Sequence, residues 1–81
     1  MRVIAVDFDG TLCEAQWPGI GNANYPVINE LILQKKQGDK VILWTCRTGK
    51  MLNDAVKWCY ARGLCFDAIN ENLASYYYNI T

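Results

Sequence analysis

The 81-residue sequence predicts an α/β domain built on a parallel sheet. Three observations lead there. Apolar, β-rich runs recur at Val3 to Phe8, Lys40 to Thr45 and Leu64 to Ile69. Between them lie two segments whose apolar residues repeat at helical spacing. Each of those segments closes on a glycine, Gly38 and then Gly63. Strands alternating with helices at this spacing form right-handed βαβ units around a parallel sheet.

Val3 to Phe8 is a continuous apolar run, the mark of a strand buried on both faces, and Asp9-Gly10 ends it. Gly10 to Tyr25 holds Pro18, Gly19, Gly21, Asn22 and Asn24 and reads as a long loop, which at this length in so small a domain is usually functional or disordered. Asn24 is placed to cap the next helix, and Pro26 is tolerated in its first turn. Val27, Ile28, Leu31, Ile32 and the stem of Lys35 then share one helical face, and Gly38 stops the helix. The second strand contains Val41-Ile42-Leu43-Trp44, with Trp44 read as strand core. Thr48 is placed to cap a helix from about Lys50 to Arg62, whose apolar face is Leu52, Ala55, Val56 and Cys59, with Met51 and Trp58 at its margins. Leu64 to Ile69 is a third, shorter strand. Asn70 to Thr81 has no clear period, and Tyr76 to Ile80 reads as a frayed strand or an apolar tail. The whole chain, 1–81, is read as one domain, because domains usually run ~100–200 residues.

Composition narrows the chemistry. With 52% apolar residues the chain is too apolar to be disordered. Eight basic residues balance eight acidic ones, so there is no field to draw in a nucleic-acid backbone or an anionic membrane. Histidine is absent, which removes Ser-His-Asp and Cys-His pairs and HExxH zinc sites. The four cysteines, Cys13, Cys46, Cys59 and Cys65, contain no CxxC pair and follow no secretory signal. Cys46 and Cys59 fall in periodic elements as core or near-core positions. Reduced thiols and a cytoplasmic location are therefore expected.

Ligands of open α/β sheets bind beyond the carboxyl ends of the strands. Those ends carry Asp7, Phe8, Asp9, Gly10 and Thr11, then Thr45, Cys46 and Arg47, then Asn70, Glu71 and Asn72. Asp7 and Asp9 leave the first strand on the same side, and a divalent cation relieves their repulsion. Gly10 allows a sharp turn that frees N–H groups for an anion. An EF-hand reading fails at Cys13, Glu14, Pro18 and Gly19. A P-loop reading fails because Trp44 stands where the first glycine belongs.

Val3-Ile-Ala-Val-Asp-Phe-Asp-Gly-Thr-Leu12 resembles the first motif of the haloacid dehalogenase-like hydrolase superfamily, an apolar strand followed by D-x-D-G-T-L. Val41-Ile-Leu-Trp-Thr45-Cys-Arg-Thr-Gly49 resembles its second motif, an apolar strand ending in Thr or Ser. The spacing between them is that of a member without a cap domain. Phe66-Asp-Ala-Ile-Asn-Glu-Asn72 is similar to the small capless hydrolases of bacteria and phages. The resemblance covers roughly residues 2 to 73. It implies a Rossmann-like three-layer α/β/α fold with strand order 3-2-1. It also implies Asp7 as the nucleophile that forms an aspartyl-phosphate and binds Mg²⁺. Asp9 would be general acid and then base, with its backbone carbonyl on the metal. Thr45 would donate to a phosphoryl oxygen, and Gly10, Cys46, Arg47 and Glu71 would line the substrate.

The chain departs from the superfamily at its end. A third-motif Lys or Arg and a fourth-motif acidic pair, with the strand that bears it, are not found before Thr81. Glu71, two strands from Asp7 and about 9–10 Å across the sheet, is placed for substrate rather than metal. Arg47 or Lys50 is the candidate stand-in for the missing cation. The first strand becomes a sheet edge, which invites pairing with a second copy. The expected function is a Mg²⁺-dependent phosphohydrolase acting on a small phosphate ester or nucleotide, impaired by the missing motifs. The alternative is a non-catalytic metal- or phosphate-binding remnant or interaction module.

Overall fold

The computed structural model describes residues 1–73, so the expectation for Tyr76 to Ile80 lies outside the described residues. In chain order the elements are β1 (Val3–Val6), β2 (Cys13–Gln16), β3 (Gly19–Ala23), α1 (Tyr25–Lys36), β4 (Lys40–Leu43), α2 (Gly49–Ala61) and β5 (Ala68–Ile69). The sheet is parallel with order β1–β4–β5, and β2 and β3 form a separate antiparallel pair.

Register decides which side chains meet the helices. Ile4 lies beside Val41, Val6 beside Leu43 and Leu43 beside Ile69. These residues share one face, because neighbours in a parallel ladder point the same way. Ile28 and Leu31 of α1 and Ala55 and Cys59 of α2 join Val6, Val41 and Leu43 in a single buried cluster with Phe8, Leu12 and Leu64. Phe8 meets Trp58 edge to face, with ring centroids 5.6 Å apart. Both helices therefore pack on the same side of the sheet. The expected three-layer α/β/α sandwich is corrected to two layers within residues 1–73. Two right-handed crossovers that step across a sheet in one direction must leave their helices on one face.

The opposite face carries Ala5, Ile42 and Ala68, and the next residue of that parity along β4 is Trp44. Trp44 is 39% exposed, which corrects its reading as core. Cys46 is exposed as well, while Cys13 and Cys59 are buried and all four thiols are free. Burial pushes the Cys59 thiol up to about 12.

The Gly10–Tyr25 loop is replaced by a hairpin. Its turn contains a cis Trp17–Pro18 peptide, and its ladder shifts register between Cys13 and Ala15. Asn24 precedes α1 but makes no side-chain cap; its amide donates instead to the Thr11 carbonyl at 2.9 Å. Thr48 likewise precedes α2 without a side-chain cap.

The third strand is shorter than expected for a local reason. After α2, the Leu64 N–H donates to Cys59 O and the Gly63 N–H to Tyr60 O, with Gly63 at φ +87°. This is a Schellman ending, in which the residue after the left-handed glycine packs back on the helix. It consumes Leu64, which is fully buried. Pairing with β4 starts only at Asp67. Its N–H donates to Val41 O at 2.8 Å, and its carboxylate accepts the Val41 N–H at 2.8 Å and the Lys35 ammonium at 3.0 Å.

Asp67 thus ties β4, α1 and the approach to β5 together. Burial raises its pKa, but the Val41 amide and Lys35 outweigh burial and hold the carboxyl below its ordinary value. A depressed folded pKa contributes stability above the unfolded value, near 4, and loses it as pH falls through the folded value. Acidification below about pH 4 should lower the urea midpoint. Asp67→Ala should cost about 1–3 kcal/mol at neutral pH and should flatten that acid dependence, both measured by urea unfolding.

Candidate active site

The carboxyl ends of β1 and β4 place their side chains next to each other. Trp44 N–H donates to Val6 O at 2.9 Å, the bond that closes the last β1–β4 pair, Val6 with Leu43, so Asp7 and Trp44 are the next residues on their strands. Asp7 leaves β1 at that step and is exposed. Its Oδ1 accepts the Phe8 N–H at 2.8 Å, which orients the carboxylate and leaves its second oxygen toward solvent.

Past Asp7 the chain makes one tight turn. Thr11 and Leu12 N–H groups both donate to Phe8 O, and Gly10 N–H donates to Cys13 O with Gly10 at φ +83°. Leu12 is fully buried and anchors the turn beneath the hairpin.

Thr45 follows β4. Its N–H donates to Asn70 Oδ1 at 2.8 Å, and its hydroxyl oxygen accepts the Arg47 N–H at 3.2 Å. With that lone pair occupied, the hydroxyl proton is the group left to donate. Asn70 sits at φ 54° and donates its own N–H to Leu43 O. Asn is among the residues that adopt this left-handed conformation most readily. It was expected near substrate; the structure turns its amide onto the Thr45 backbone. Glu71 is exposed past β5, two strands from β1 as expected.

Arg47 is where the structure differs most from expectation. It is 1% exposed. Nε and Nη2 hold both oxygens of Asp9, at 2.9 and 2.7 Å. Nη1 and Nη2 also donate to the carbonyls of Pro18 and Gly19, at 3.1 and 2.7 Å, across the hairpin turn. The guanidinium carbon lies 5.1 Å from the Phe8 ring centroid and 4.9 Å from that of Trp17. Arg47, expected on substrate, is thus an internal clamp between Asp9 and the hairpin. The physical reason is that a buried guanidinium needs an opposite charge and acceptors for its donors, and Asp9 and two carbonyls supply them. Lys50, the other candidate cation, is on the surface and pairs with Asp54 at 2.9 Å.

The Arg47 fork holds the Asp9 carboxyl below the usual carboxylate range, against the opposing effect of burial. Asp9 is therefore ionised near neutral pH, in the form that accepts a proton. Among the described residues no group of three His, Cys, Asp or Glu side chains is arranged to hold a metal. The donors left for a cation are the Asp7 carboxylate and the Asp9 backbone carbonyl, because both Asp9 carboxylate oxygens are held by Arg47. This donor set fits Mg²⁺ in part, since that ion is often held by one or two carboxylates and keeps several waters. A separate cavity of about 310 Å³ lies at the hairpin base, lined by Gly10, Cys13, Glu14, Asn22, Ala23 and Asn24. Of the predicted site residues it contains only Gly10, so the chemistry is assigned to the strand ends.

No family model matches the chain, and no curated protein matches it. It is similar to a solved structure described as that of a conserved protein coded by a locus from Bacteroides thetaiotaomicron, at 42% identity and a TM-score of 0.84. The match covers 89% of this chain and 60% of that one, so the chain spans less than two thirds of that protein's length. No helix among the described residues is long and apolar enough to cross a membrane.

Removing one partner of a buried pair typically costs about 3–5 kcal/mol. The Asp9 side chain keeps 25% exposure, so Arg47→Met should fall at or below that range. The Asp9→Asn, Arg47→Met double variant should lose less than the sum of the single losses. Urea unfolding of the four proteins checks both statements.

Proposed function

We propose that the chain is a capless phosphohydrolase of the haloacid dehalogenase-like superfamily, with a Rossmann-like sheet, acting in the cytoplasm on a small phosphate ester or nucleotide. The observation that supports this reading is Asp7, exposed at the end of β1, with Thr45 closing the adjacent parallel strand. Four free thiols suit a reducing compartment.

In this reading the free Asp7 oxygen attacks phosphorus. A P–O bond to Asp7 forms, and the bond to the leaving group breaks. The Thr45 hydroxyl donates to a phosphoryl oxygen, its orientation set by the Arg47 N–H. The leaving oxygen takes its proton from solvent; Asp9 then accepts the proton of the water that hydrolyses the aspartyl-phosphate and passes it to solvent, which releases phosphate and restores both Asp7 and Asp9. The Arg47 pair keeps Asp9 ionised and so unable to protonate the leaving group, and it also weakens Asp9 as a base; slow turnover, above all of poor leaving groups, follows. Mg²⁺, when held by the Asp7 carboxylate and the Asp9 carbonyl, would offset the charge gathering on the phosphoryl oxygens.

Hydrolysis of p-nitrophenyl phosphate should require added Mg²⁺ and should vanish in Asp7→Asn. Half-saturation should lie well above the micromolar range, given the short donor set. Equal rates for Asp7→Asn and the unaltered protein would reject the reading.

A second reading, a metal- or phosphate-binding remnant or an interaction module, is favoured by one observation: both candidate cations are engaged elsewhere, Arg47 with Asp9 and Lys50 with Asp54. Among the described residues β1 pairs with β4 alone. We propose that a second copy adds at β1, since unpaired strand edges recruit partners. Sedimentation of a concentration-independent monomer would exclude it.

A further inference from the structure

We infer that the phosphate ester taken at Asp7 carries a flat aromatic group, gripped by the exposed indoles of Trp17 and Trp44. The inference rests on the phosphohydrolase reading and narrows its substrate class.

Trp44 is placed by register. The ladder ends at Val6 and Leu43, closed by the Trp44 N–H to Val6 O bond, and Asp7 and Trp44 are the next residues on their strands. Residues at one step of a parallel ladder share a face, and adjacent strands lie about 4.8 Å apart. Trp44 therefore leaves β4 next to the point where Asp7 leaves β1. It stays 39% exposed, on the face away from both helices.

Trp17 is placed by Arg47. It stands at the hairpin turn and is 59% exposed, yet one side of its ring faces the guanidinium at 4.9 Å. The same guanidinium grips Asp9, and it binds the carbonyls of Pro18 and Gly19 next in sequence to Trp17. An exposed aromatic at a turn would ordinarily be free to swing; this one is held near the second carboxylate of the site. Two exposed indoles thus stand at the carboxyl end of the sheet, Trp44 following the strand next to that of Asp7 and Trp17 lying on the guanidinium that holds Asp9. Indoles contribute apolar area and a π-face together, and both suit a flat ring. An aliphatic phosphate would leave them bare. The formal charge of zero disfavours a polymeric nucleic acid, which leaves a small aromatic phosphate such as a nucleoside monophosphate.

Alanine substitution at base-stacking aromatics typically costs about 1–3 kcal/mol per base, roughly a five- to hundredfold effect. The test compares the 81-residue chain with Trp17→Leu and Trp44→Leu, using adenosine 5′-monophosphate and glycerol 3-phosphate. The expected result is a KM for the nucleotide raised about five- to hundredfold, with constants for glycerol 3-phosphate changed less than about twofold. Parallel losses on both substrates, or no loss on the nucleotide, would overturn the aromatic assignment and leave the phosphohydrolase reading standing. Absence of hydrolysis of either compound and of p-nitrophenyl phosphate by the unaltered protein would reject that reading instead. In that case quenching of tryptophan fluorescence by adenosine 5′-monophosphate decides the remainder. Saturable quenching that weakens in both variants supports aromatic recognition, and no quenching rejects it.

Discussion

A guanidinium taken out of water is tolerated only where an opposite charge and hydrogen-bond acceptors surround it. Arg47 meets that demand with Asp9 and with two carbonyls of the hairpin turn. Asp9 follows β1, Arg47 follows β4, and the carbonyls belong to the segment joining β2 and β3. One side chain therefore fixes the hairpin against the ends of both strands. The chemistry proposed for Asp7, Asp9 and Thr45 depends on it, because the same residue holds Asp9 through its side chain and Thr45 through its backbone. The restrained hairpin also keeps the Trp17 ring against the Arg47 guanidinium.

Much of the fold was legible because period and punctuation agree. Ile28 and Leu31 on one helix and Ala55 and Cys59 on the other fall in the core as their spacing requires. Gly38 and Gly63 close those helices. Strand order follows from two short crossovers. The hairpin was not legible because its first strand buries only Cys13 while Glu14, Ala15 and Gln16 stay exposed, so no alternation signals it. Gly21 added to the impression of looseness, but a Cβ there would collide with the Glu14 carbonyl, so glycine serves close approach between strands. Trp44 was misread because a continuous apolar run suggests a strand buried throughout; Ile42 on the same face is buried, whereas Trp44 lies past the last strand residue and is exposed.

The site divides in the same way. Asp7, Asp9 and Thr45 could be named from sequence because a strand-end position and a short motif define them. The role of Arg47 could not. No periodicity shows whether a cation two residues beyond a strand turns outward to a ligand or inward to a carboxylate. Asn70 is similar, since a left-handed asparagine that caps a neighbouring loop looks in sequence like one offered to solvent.

The depth of the Arg47–Asp9 contact sets how the protein responds to salt. An exposed pair such as Lys50–Asp54 lies within reach of counterions, which screen charges over about 8 Å at physiological ionic strength. The Arg47 side chain is only 2% exposed, and buried pairs are screened far less. Rising ionic strength would therefore weaken the outer electrostatics first. The mouth of the sheet would keep its shape in brines where the surface has lost its charge pairing.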